Sequence, residues 1–176
     1  MSHARAGYLL GIGSNIDPQH NIGQIIHLLL THFPQLTLSR ILEIPPIGMN
    51  SHREFLNVVI FIETETSESD LKALCNDIET SLGRDRTDPD RKMKDRPADL
   101  DILTKAQFPD DYDRPVNSIT DEYFLYPLLE EIAAYLSGNK SSLQQPGVTI
   151  SIEDLSFGQA ATTIYRDAST CNERII

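Results

Sequence analysis

Hydrophobic and polar residues follow two different periods along the chain. Apolar residues recur at helical spacing in two segments, whereas the segment 55–62 is β-branched and aromatic throughout, as buried strands are. Ser67 with Asp70 resembles a capping box that opens the second helical segment. In chain order the pattern predicts a strand at 8–12, a helix at 20–33, strands at 36–44 and 55–62, a helix at 67–82, a strand at 99–103 and a helix within 122–136.

The order of these elements is that of a ferredoxin-like fold. Strand, helix, strand, strand, helix, strand (βαββαβ) gives an α+β architecture in which two helices pack on one face of an antiparallel sheet. A chain of 176 residues is large enough to bury one core without disulfide bonds. We expect one domain in 1–136, followed by a C-terminal extension in 137–176 that packs on it and whose role the sequence does not indicate.

The last predicted strand contains two acidic residues in the run RPADLDIL at 96–103. Side chains alternate across a strand, so Asp99 and Asp101 share one face while Leu100 and Ile102 take the other. Neighbouring carboxylates repel each other unless a cation lies between them, and Mg²⁺ prefers such oxygen ligands. Two interpretations are open: a Mg²⁺ site that shares its metal with substrate phosphates, or a carboxylate pair that faces arginines or solvent.

The segment before this strand concentrates positive charge. Between 83 and 96, GRDRTDPDRKMKDR holds six of the 15 Lys and Arg residues of the chain. Guanidinium groups clamp phosphate oxygens in bidentate geometry, so a cationic loop leading into a carboxylate pair suits phosphoryl transfer. The alternative is a solvated loop with internal salt bridges, because four aspartates are interspersed in it.

An amide stands inside the most hydrophobic strand. Asn57 lies two residues after Phe55 and therefore on the same strand face. An aromatic ring beside an amide suits a flat heterocycle rich in donors and acceptors. The alternative is that Asn57 satisfies the backbone of a neighbouring loop.

Composition limits the classes of partner. A net charge of −11 argues against a nucleic acid or an anionic membrane as partner, while a small anionic ligand responds only to local charge. No segment approaches the length of a membrane span, and polar residues and glycines interrupt the apolar run near the N-terminus. We expect a cytoplasmic protein; its oligomeric state is open, with a monomer favoured.

Six short motifs occur in a fixed order: GIGSN at 11–15, PPIG at 45–48, FLN at 55–57, IE and LGR within 78–84, RPADLDIL at 96–103 and YFLYPL at 123–128. Together they resemble the 6-hydroxymethyl-7,8-dihydropterin pyrophosphokinase family of folate biosynthesis. The most specific of them is Arg-x-x-Asp-x-Asp at 96–101. The resemblance implies a ferredoxin-like fold and an enzyme that transfers the pyrophosphoryl group of ATP to the pterin hydroxymethyl oxygen, releasing AMP.

The resemblance also implies roles for individual residues. It makes Asp99 and Asp101 the ligands of two Mg²⁺ ions that bridge the triphosphate, and it adds Arg84 and Arg96 to the catalytic group. The implied ATP contacts are Asn76, Glu79, Arg84, Lys92, Arg96 and Ile102. The implied pterin contacts are Phe55 and Tyr123 on the two ring faces, Asn57 at the ring edge and the loop at Ile47.

Several positions depart from the family pattern. The family usually has Arg-Trp-Gly-Pro-Arg where this chain has KMKDR at 92–96, and a glutamine where it has Asn76. Asp121 stands where an arginine is expected, and 106–126 contains no histidine. These changes leave a second function open, a diverged pterin- or nucleotide-binding paralogue with little or no pyrophosphoryl transfer. A regulatory ferredoxin-like domain would leave the two aspartates and Asn57 unexplained.

Overall fold

The computed structural model describes residues 4–47, 52–85, 87–90, 94–139, 145–166 and 173–175, the last three by their backbone alone. The elements are β1 (Arg5–Ser14), α1 (Pro18–His32), β2 (Gln35–Leu38), β3 (Leu42–Ile44), β4 (Phe55–Glu63), α2 (Glu68–Ser81), β5 (Asp99–Phe108), two 3₁₀ turns (Val116–Ser118 and Tyr123–Leu125), α3 (Tyr126–Leu136), β6 (Ile150–Ile152), β7 (Leu155–Phe157), β8 (Thr162–Arg166) and β9 (Glu173–Ile175). None of the helices in these ranges has the length and apolar character needed to cross a membrane.

The main sheet is antiparallel, with the strand order β5–β1–β4–β2–β8–β9 and with β3 also paired to β4. Its first four strands, with α1 and α2 as the connections, form the ferredoxin-like arrangement, so the predicted fold is confirmed. β1 lies inside the sheet because it pairs with β4 along one side and with β5 along the other. β5 is an edge strand, and β6 and β7 form a separate hairpin.

Each face of the sheet has its own hydrophobic core. Tyr8, Leu10 and Ile12 of β1 pack in the core that α1 and α2 cover. Leu9 packs on the opposite face, in a second core that includes Ile132 of α3. The sequence predicted two helices on one face; the third helix covers the other, and its apolar pattern does not indicate which side it takes.

The predicted strand at 36–44 is wrong as a single element. The chain leaves the strand path at 39–41, between β2 and β3. The acceptors of these three backbone N–H groups come from three different places: Val59 O for Ser39 at 2.9 Å, Glu131 Oε1 for Arg40 at 2.7 Å, and Gly158 O for Ile41 at 2.8 Å. Two of them lie in α3 and in the C-terminal segment, so a local alternation of residues cannot reveal the break.

β5 is longer than predicted, and a β-bulge interrupts the alternation of its side chains near the predicted end of the strand. Leu10 pairs with Ile102 and Leu9 with the residue after Leu103, so Leu103 is an additional residue in β5. The extra residue exchanges the two faces of the strand. Ile102 packs against the core under α1 and α2, whereas Phe108 belongs to the core under α3.

The C-terminal segment is part of the sheet rather than an appendage. β8 pairs with β2, and the hydroxyls of Thr37 and Thr163 lie 3.1 Å apart in that pair. The backbone of Gly158, with φ +108°, lies so close to that of Val148 that a Cβ at Gly158 would be 2.1 Å from the Val148 carbonyl oxygen. The segment thereby extends the sheet on the side away from β5.

Candidate functional site

The two predicted metal ligands open the edge strand β5. Asp99 is paired with Gly13 of β1, Asp101 is paired with Gly11, and Gly13 is in turn paired with Asn57 of β4. Paired residues in antiparallel strands point to the same face of a sheet. The structure therefore places Asp99, Gly13 and Asn57 in one row across three strands, on the face away from α1 and α2.

The two glycines of β1 form an open floor between the carboxylates and the amide. A Cβ at Gly13 would lie 2.7 Å from Asn57 Oδ1, and one at Gly11 would lie 3.1 Å from Leu125 Cδ1. Any side chain at these positions would fill the space between β4, β5 and the 3₁₀ turn that carries Leu125. The sequence signal for this floor was the GIGSN motif, to which we assigned no role in the site.

Asp99 lies between two arginines. Arg84 Nη1 donates to Asp99 Oδ1 at 2.8 Å, and Arg96 Nη1 donates to Asp99 Oδ2 at 3.1 Å. Both arginine side chains are largely buried, at 9% and 18% exposure. Asp99 therefore faces arginines, as the second interpretation of the acidic run predicted, and guanidinium groups of this kind can also bind phosphate oxygens.

Asp101 lies in a negatively charged environment that the nearby cationic side chains do not fully neutralise. Burial, together with the negative charges of Asp99 and Glu79, raises the pKa of Asp101 to about 6, although Lys72 and Arg84 act in the opposite direction. A divalent cation suits such a site, since carboxylate oxygens are hard ligands and the charge needs compensation. Within the described ranges no group of three or more His, Cys, Asp or Glu side chains could hold a metal ion. Asp99 and Asp101 would hold a Mg²⁺ ion by two carboxylates, and the ion would need further oxygen ligands from water or from phosphates.

A groove of about 650 Å³ runs along the outer edge of β5. Lys72 and Glu68 of α2 line one wall, Thr120 lines the other, and Asp101 and Ile102 form part of the floor. An edge strand presents backbone donors and acceptors that no further strand uses, and these can hydrogen-bond a ligand. The groove thus contains Asp101, one of the two predicted metal ligands.

Glu122 is a site residue that we did not predict. It lies in the same groove, and burial raises its pKa, with Asp101 and then Asp99 adding to the effect and Arg96 opposing it. Its position next to the aspartates depends on the path of the chain from 109 to 122, which has no regular pattern. No signal in the sequence identified it.

Asn15 is the second residue that we did not predict. Its side chain is 2% exposed; Oδ1 accepts the Arg96 backbone N–H at 2.6 Å, and Nδ2 donates to Asp95 Oδ1 at 2.9 Å. The Asn15 backbone N–H also donates to Arg96 O at 3.0 Å. Asn15 therefore fixes the backbone from which the Arg96 guanidinium reaches Asp99. The sequence signal was the asparagine of GIGSN, a motif that we used only for the family resemblance.

The predicted nucleotide contacts of α2 differ in exposure. Glu79 is fully buried, and its Oε2 accepts from Arg84 Nη1 at 2.6 Å and from the Leu100 backbone N–H at 2.9 Å. Asn76 Oδ1 is shielded from solvent and has no hydrogen-bond partner among the described residues. Asn76 thus presents an acceptor that a ligand could use, whereas Glu79 contacts protein groups. Lys92 lies outside the described residues.

The predicted pterin residues divide into a buried pair and an exposed pair. Phe55 and Asn57 of β4 are each 8% exposed, on the floor face beside Gly13. Ile47 and Tyr123 are 44% and 63% exposed, and the Tyr123 ring meets Phe124 edge-on at 6.0 Å. The residues 48–51 that follow Ile47 lie outside the described ranges. The buried pair provides a fixed surface, and the exposed pair lies in loop and 3₁₀ segments.

Comparison with known proteins gives consistent matches. The family model described as 7,8-dihydro-6-hydroxymethylpterin-pyrophosphokinase matches residues 9–134. The chain is 34% identical over 102 residues to the 2-amino-4-hydroxy-6-hydroxymethyldihydropteridine pyrophosphokinase of Porphyromonas gingivalis, covering 57% of this chain and 69% of that protein. It is 35% identical over 97 residues to the protein of the same name from Bacillus subtilis, covering 53% of this chain and 56% of the relative. The matched segment contains the row of Asp99, Gly13 and Asn57.

Proposed function

The chain belongs to the 7,8-dihydro-6-hydroxymethylpterin-pyrophosphokinase family, and on that premise we propose that it transfers the pyrophosphoryl group of ATP to 6-hydroxymethyl-7,8-dihydropterin. The observation that carries the proposal is the row across β5, β1 and β4. It sets a carboxylate held by Arg84 and Arg96 opposite the amide of Asn57, with the floor of Gly13 between them. One substrate can thus lie over the amide while the phosphates of the other lie over the carboxylates.

Asp99 and Asp101 are the proposed metal ligands. Members of the family use ATP and commonly Mg²⁺, and we propose two ions at this pair. The donor set fits, because both ligands are carboxylates and the charge around Asp101 is not fully offset by nearby cations. Bound Mg²⁺ supplies charge neutralisation for the phosphate oxygens of ATP.

Arg84 and Arg96 are the proposed phosphate contacts. Both guanidinium groups are directed at Asp99 from different sides, and Asn15 holds the Arg96 backbone. Arg84 and Arg96 also line a cavity of about 360 Å³ together with Lys94. Positive side chains with little freedom to move can stabilise the charge that develops on a transferring phosphoryl group.

The groove beside β5 is the proposed site of the nucleoside. Ile102 lines the groove at the edge of the sheet. Asn76 of α2 does not line the groove, but its Oδ1 has no hydrogen-bond partner among the described residues, and it stays a predicted ATP contact. Lys92 stays a predicted ATP contact. Such a site would bind a nucleoside through the hydrogen-bonding edges of its base rather than through charge. The acidic residues Glu68 and Glu122 in the walls of the groove agree with this, because a nucleoside carries no negative charge.

Phe55, Asn57 and Tyr123 are the proposed pterin contacts, with the loop at Ile47 closing the site. Asn57 can donate and accept at the edge of the pterin ring while the Phe55 ring covers one face. Tyr123 is exposed and lies in the 3₁₀ turn directly before α3. It can therefore cover the second ring face without moving the sheet.

The reaction is an in-line displacement at the β-phosphorus of ATP. The pterin hydroxymethyl oxygen forms a bond to the β-phosphorus, the bond from that atom to the α,β-bridging oxygen breaks, and AMP leaves with the electron pair. The hydroxyl proton passes to solvent. The contribution of the protein is mainly to hold both substrates in line and to stabilise charge with the two arginines.

The test is the release of AMP from a mixture of protein, MgATP and 6-hydroxymethyl-7,8-dihydropterin. We expect pterin-dependent AMP and the pyrophosphorylated pterin in equal amounts. Pterin binding detected by fluorescence without AMP above background would reject the proposal in favour of a binding paralogue. The relatives are all named as pyrophosphokinases, which favours the enzyme. The cytoplasmic location and the monomeric state stay predictions.

A further inference from the structure

We infer that Glu79 is a positioning residue that keeps Asp99 available for metal binding by holding Arg84 and the β5 backbone in place. The inference rests on the proposed function and assigns to Glu79 a role through other residues, in place of direct contact with ATP. It follows from three features: the burial of Glu79, its bond to the edge of β5, and the sharing of Arg84 Nη1 between two carboxylates.

Burial excludes Glu79 from the nucleotide groove as the structure stands. The side chain has 0% exposure in α2, and the lining of the groove includes Lys72 but not Glu79. A buried carboxylate is stable only when charged or polar partners surround it. Glu79 Oε2 accepts from Arg84 Nη1 at 2.6 Å and from the Leu100 backbone N–H at 2.9 Å.

The hydrogen bond from the Leu100 N–H to Glu79 supplies a backbone donor of the edge strand β5 with an acceptor. Leu100 is paired with Ile12 on the β1 side, while its N–H donates in the other direction, toward α2. Within the part of the chain that the structure describes, no strand pairs with the outer side of β5, and this hydrogen bond ties the segment between Asp99 and Asp101 to α2. Glu79 therefore fixes the backbone from which both proposed metal ligands project.

The bond to Arg84 limits how strongly that arginine competes for Asp99. Arg84 Nη1 lies 2.8 Å from Asp99 Oδ1 and 2.6 Å from Glu79 Oε2, so the two carboxylates share one donor. A metal ion bound to Asp99 has to displace part of this pairing. With Glu79 present, Arg84 keeps a buried partner when Asp99 turns to the metal. Without Glu79, Asp99 is the remaining carboxylate that accepts a hydrogen bond from Arg84 among the described residues.

Two variants separate the effect of the negative charge of Glu79 from the effect of its side-chain length. Glu79→Gln keeps the length of the side chain and an acceptor for Leu100 but removes the charge that holds Arg84. Glu79→Asp keeps the charge but is one methylene shorter, so it cannot serve both donors with the same geometry. The matched control is Glu131→Gln, because Glu131 is also a buried helical carboxylate that accepts a backbone N–H and contacts an arginine, Arg40, far from the aspartates.

The primary measurement is the binding of Mn²⁺ in the presence of α,β-methylene-ATP, an analogue whose α,β bridge cannot be cleaved. Electron paramagnetic resonance of free Mn²⁺ serves as the readout of binding. Partners of metal-ligating groups typically change metal affinity by about 10- to 100-fold when removed. We expect both Glu79 variants to weaken Mn²⁺ binding by about 10-fold or more, and Glu131→Gln to leave it within about twofold. In turnover, the half-saturating Mg²⁺ concentration should rise in parallel, with little change in KM for the pterin.

Mn²⁺ binding like that of the unmodified protein in a folded Glu79 variant would overturn the inference. Equal weakening by Glu131→Gln would also overturn it, because the effect would then be one of general stability. Thermal unfolding identifies which variants are folded, and Glu79→Asp decides the matter if Glu79→Gln does not fold. If the unmodified protein releases no AMP but the Glu79 variants weaken Mn²⁺ binding, the proposed transfer fails and the positioning role stands.

Discussion

Two buried carboxylates on two helices have nearly the same local surroundings. Glu79 of α2 accepts the N–H of Leu100 and contacts Arg84; Glu131 of α3 accepts the N–H of Arg40 at 2.7 Å and lies 3.7 Å from the Arg40 Nε. The difference is in what each arginine reaches next. Arg84 goes on to Asp99, whereas Arg40 donates to the carbonyl of Gln145 in the C-terminal segment.

The comparison shows that a buried ion pair alone does not identify a functional site. Breaking either pair leaves a buried charge, so both pairs matter for stability whatever their function. Only the pair at Glu79 shares its arginine with a side chain that lies in the row with Asn57. Glu131 instead holds the break between β2 and β3, which joins the sheet to α3 and to residues 145–166.

We expect the largest loss of activity from removing Asp99, the carboxylate that Arg84 contacts in addition to Glu79. Asp99→Ala takes away a metal ligand but leaves Arg84 paired with Glu79, so the fold should persist. We expect AMP release to fall by about 10³-fold or more, or about 4 kcal/mol in transition-state free energy. Steady-state AMP release and urea unfolding of the same preparation measure both quantities, and unchanged turnover would refute the metal assignment.

A medium effect should separate stability from catalysis. Arg40→Met leaves Glu131 buried without its cation, and breaking such a pair typically destabilises by about 3–5 kcal/mol. The folded fraction should keep its kcat because Arg40 does not contact the site. Arg84→Met, as the counterpart, should reduce kcat/KM by about 10²-fold because a phosphate contact is lost. Urea unfolding and AMP release on both variants give the comparison, which fails if Arg40→Met impairs kcat as much as Arg84→Met.

The smallest expected effect is a pH dependence of stability without metal. The pKa of Asp101 is raised from 3.8 to about 6, so the folded state holds a proton in this range that the unfolded state releases. Stability of the metal-free protein should therefore decline as pH rises from about 4 to above 6. Asp101→Asn should be more stable than the unmodified protein at pH 7.5 by up to about 3 kcal/mol, with the difference shrinking toward pH 4.

Mg²⁺ sharpens this prediction. A cation at the carboxylate pair offsets the charge of Asp101, so MgATP should narrow the stability difference between Asp101→Asn and the unmodified protein at pH 7.5. Burial also raises the pKa of Glu131, against the opposing effect of Arg40. In a matching series, MgATP should leave the stability difference between Glu131→Gln and the unmodified protein unchanged, because both keep the carboxylate pair and bind MgATP alike. Thermal unfolding across pH 4.5–7.5 measures both series, and a MgATP-dependent change in the Glu131→Gln difference as large as that in the Asp101→Asn difference would contradict the assignment.

The sequence by itself determined the order of the elements and the chemistry of one strand. The helical and strand periods are local properties, so α1, α2 and β4 agree closely with their predictions. The pairing of Asp99 and Asp101 on one face follows from the alternation of side chains and needs no knowledge of the rest of the fold. The cationic loop could be predicted for the same reason, because charge density can be counted along a chain.

Only the tertiary structure decided which groups meet. The break at 39–41, the side that α3 covers, and the roles of Asn15, Glu79 and Glu122 each depend on partners between 20 and more than 100 positions away. RPADLDIL specifies that two carboxylates lie side by side. That Asp99 shares an arginine with a buried glutamate follows from the packing of α2 against the edge of β5, because hydrogen bonds between distant segments form only when the whole sheet fixes their distance.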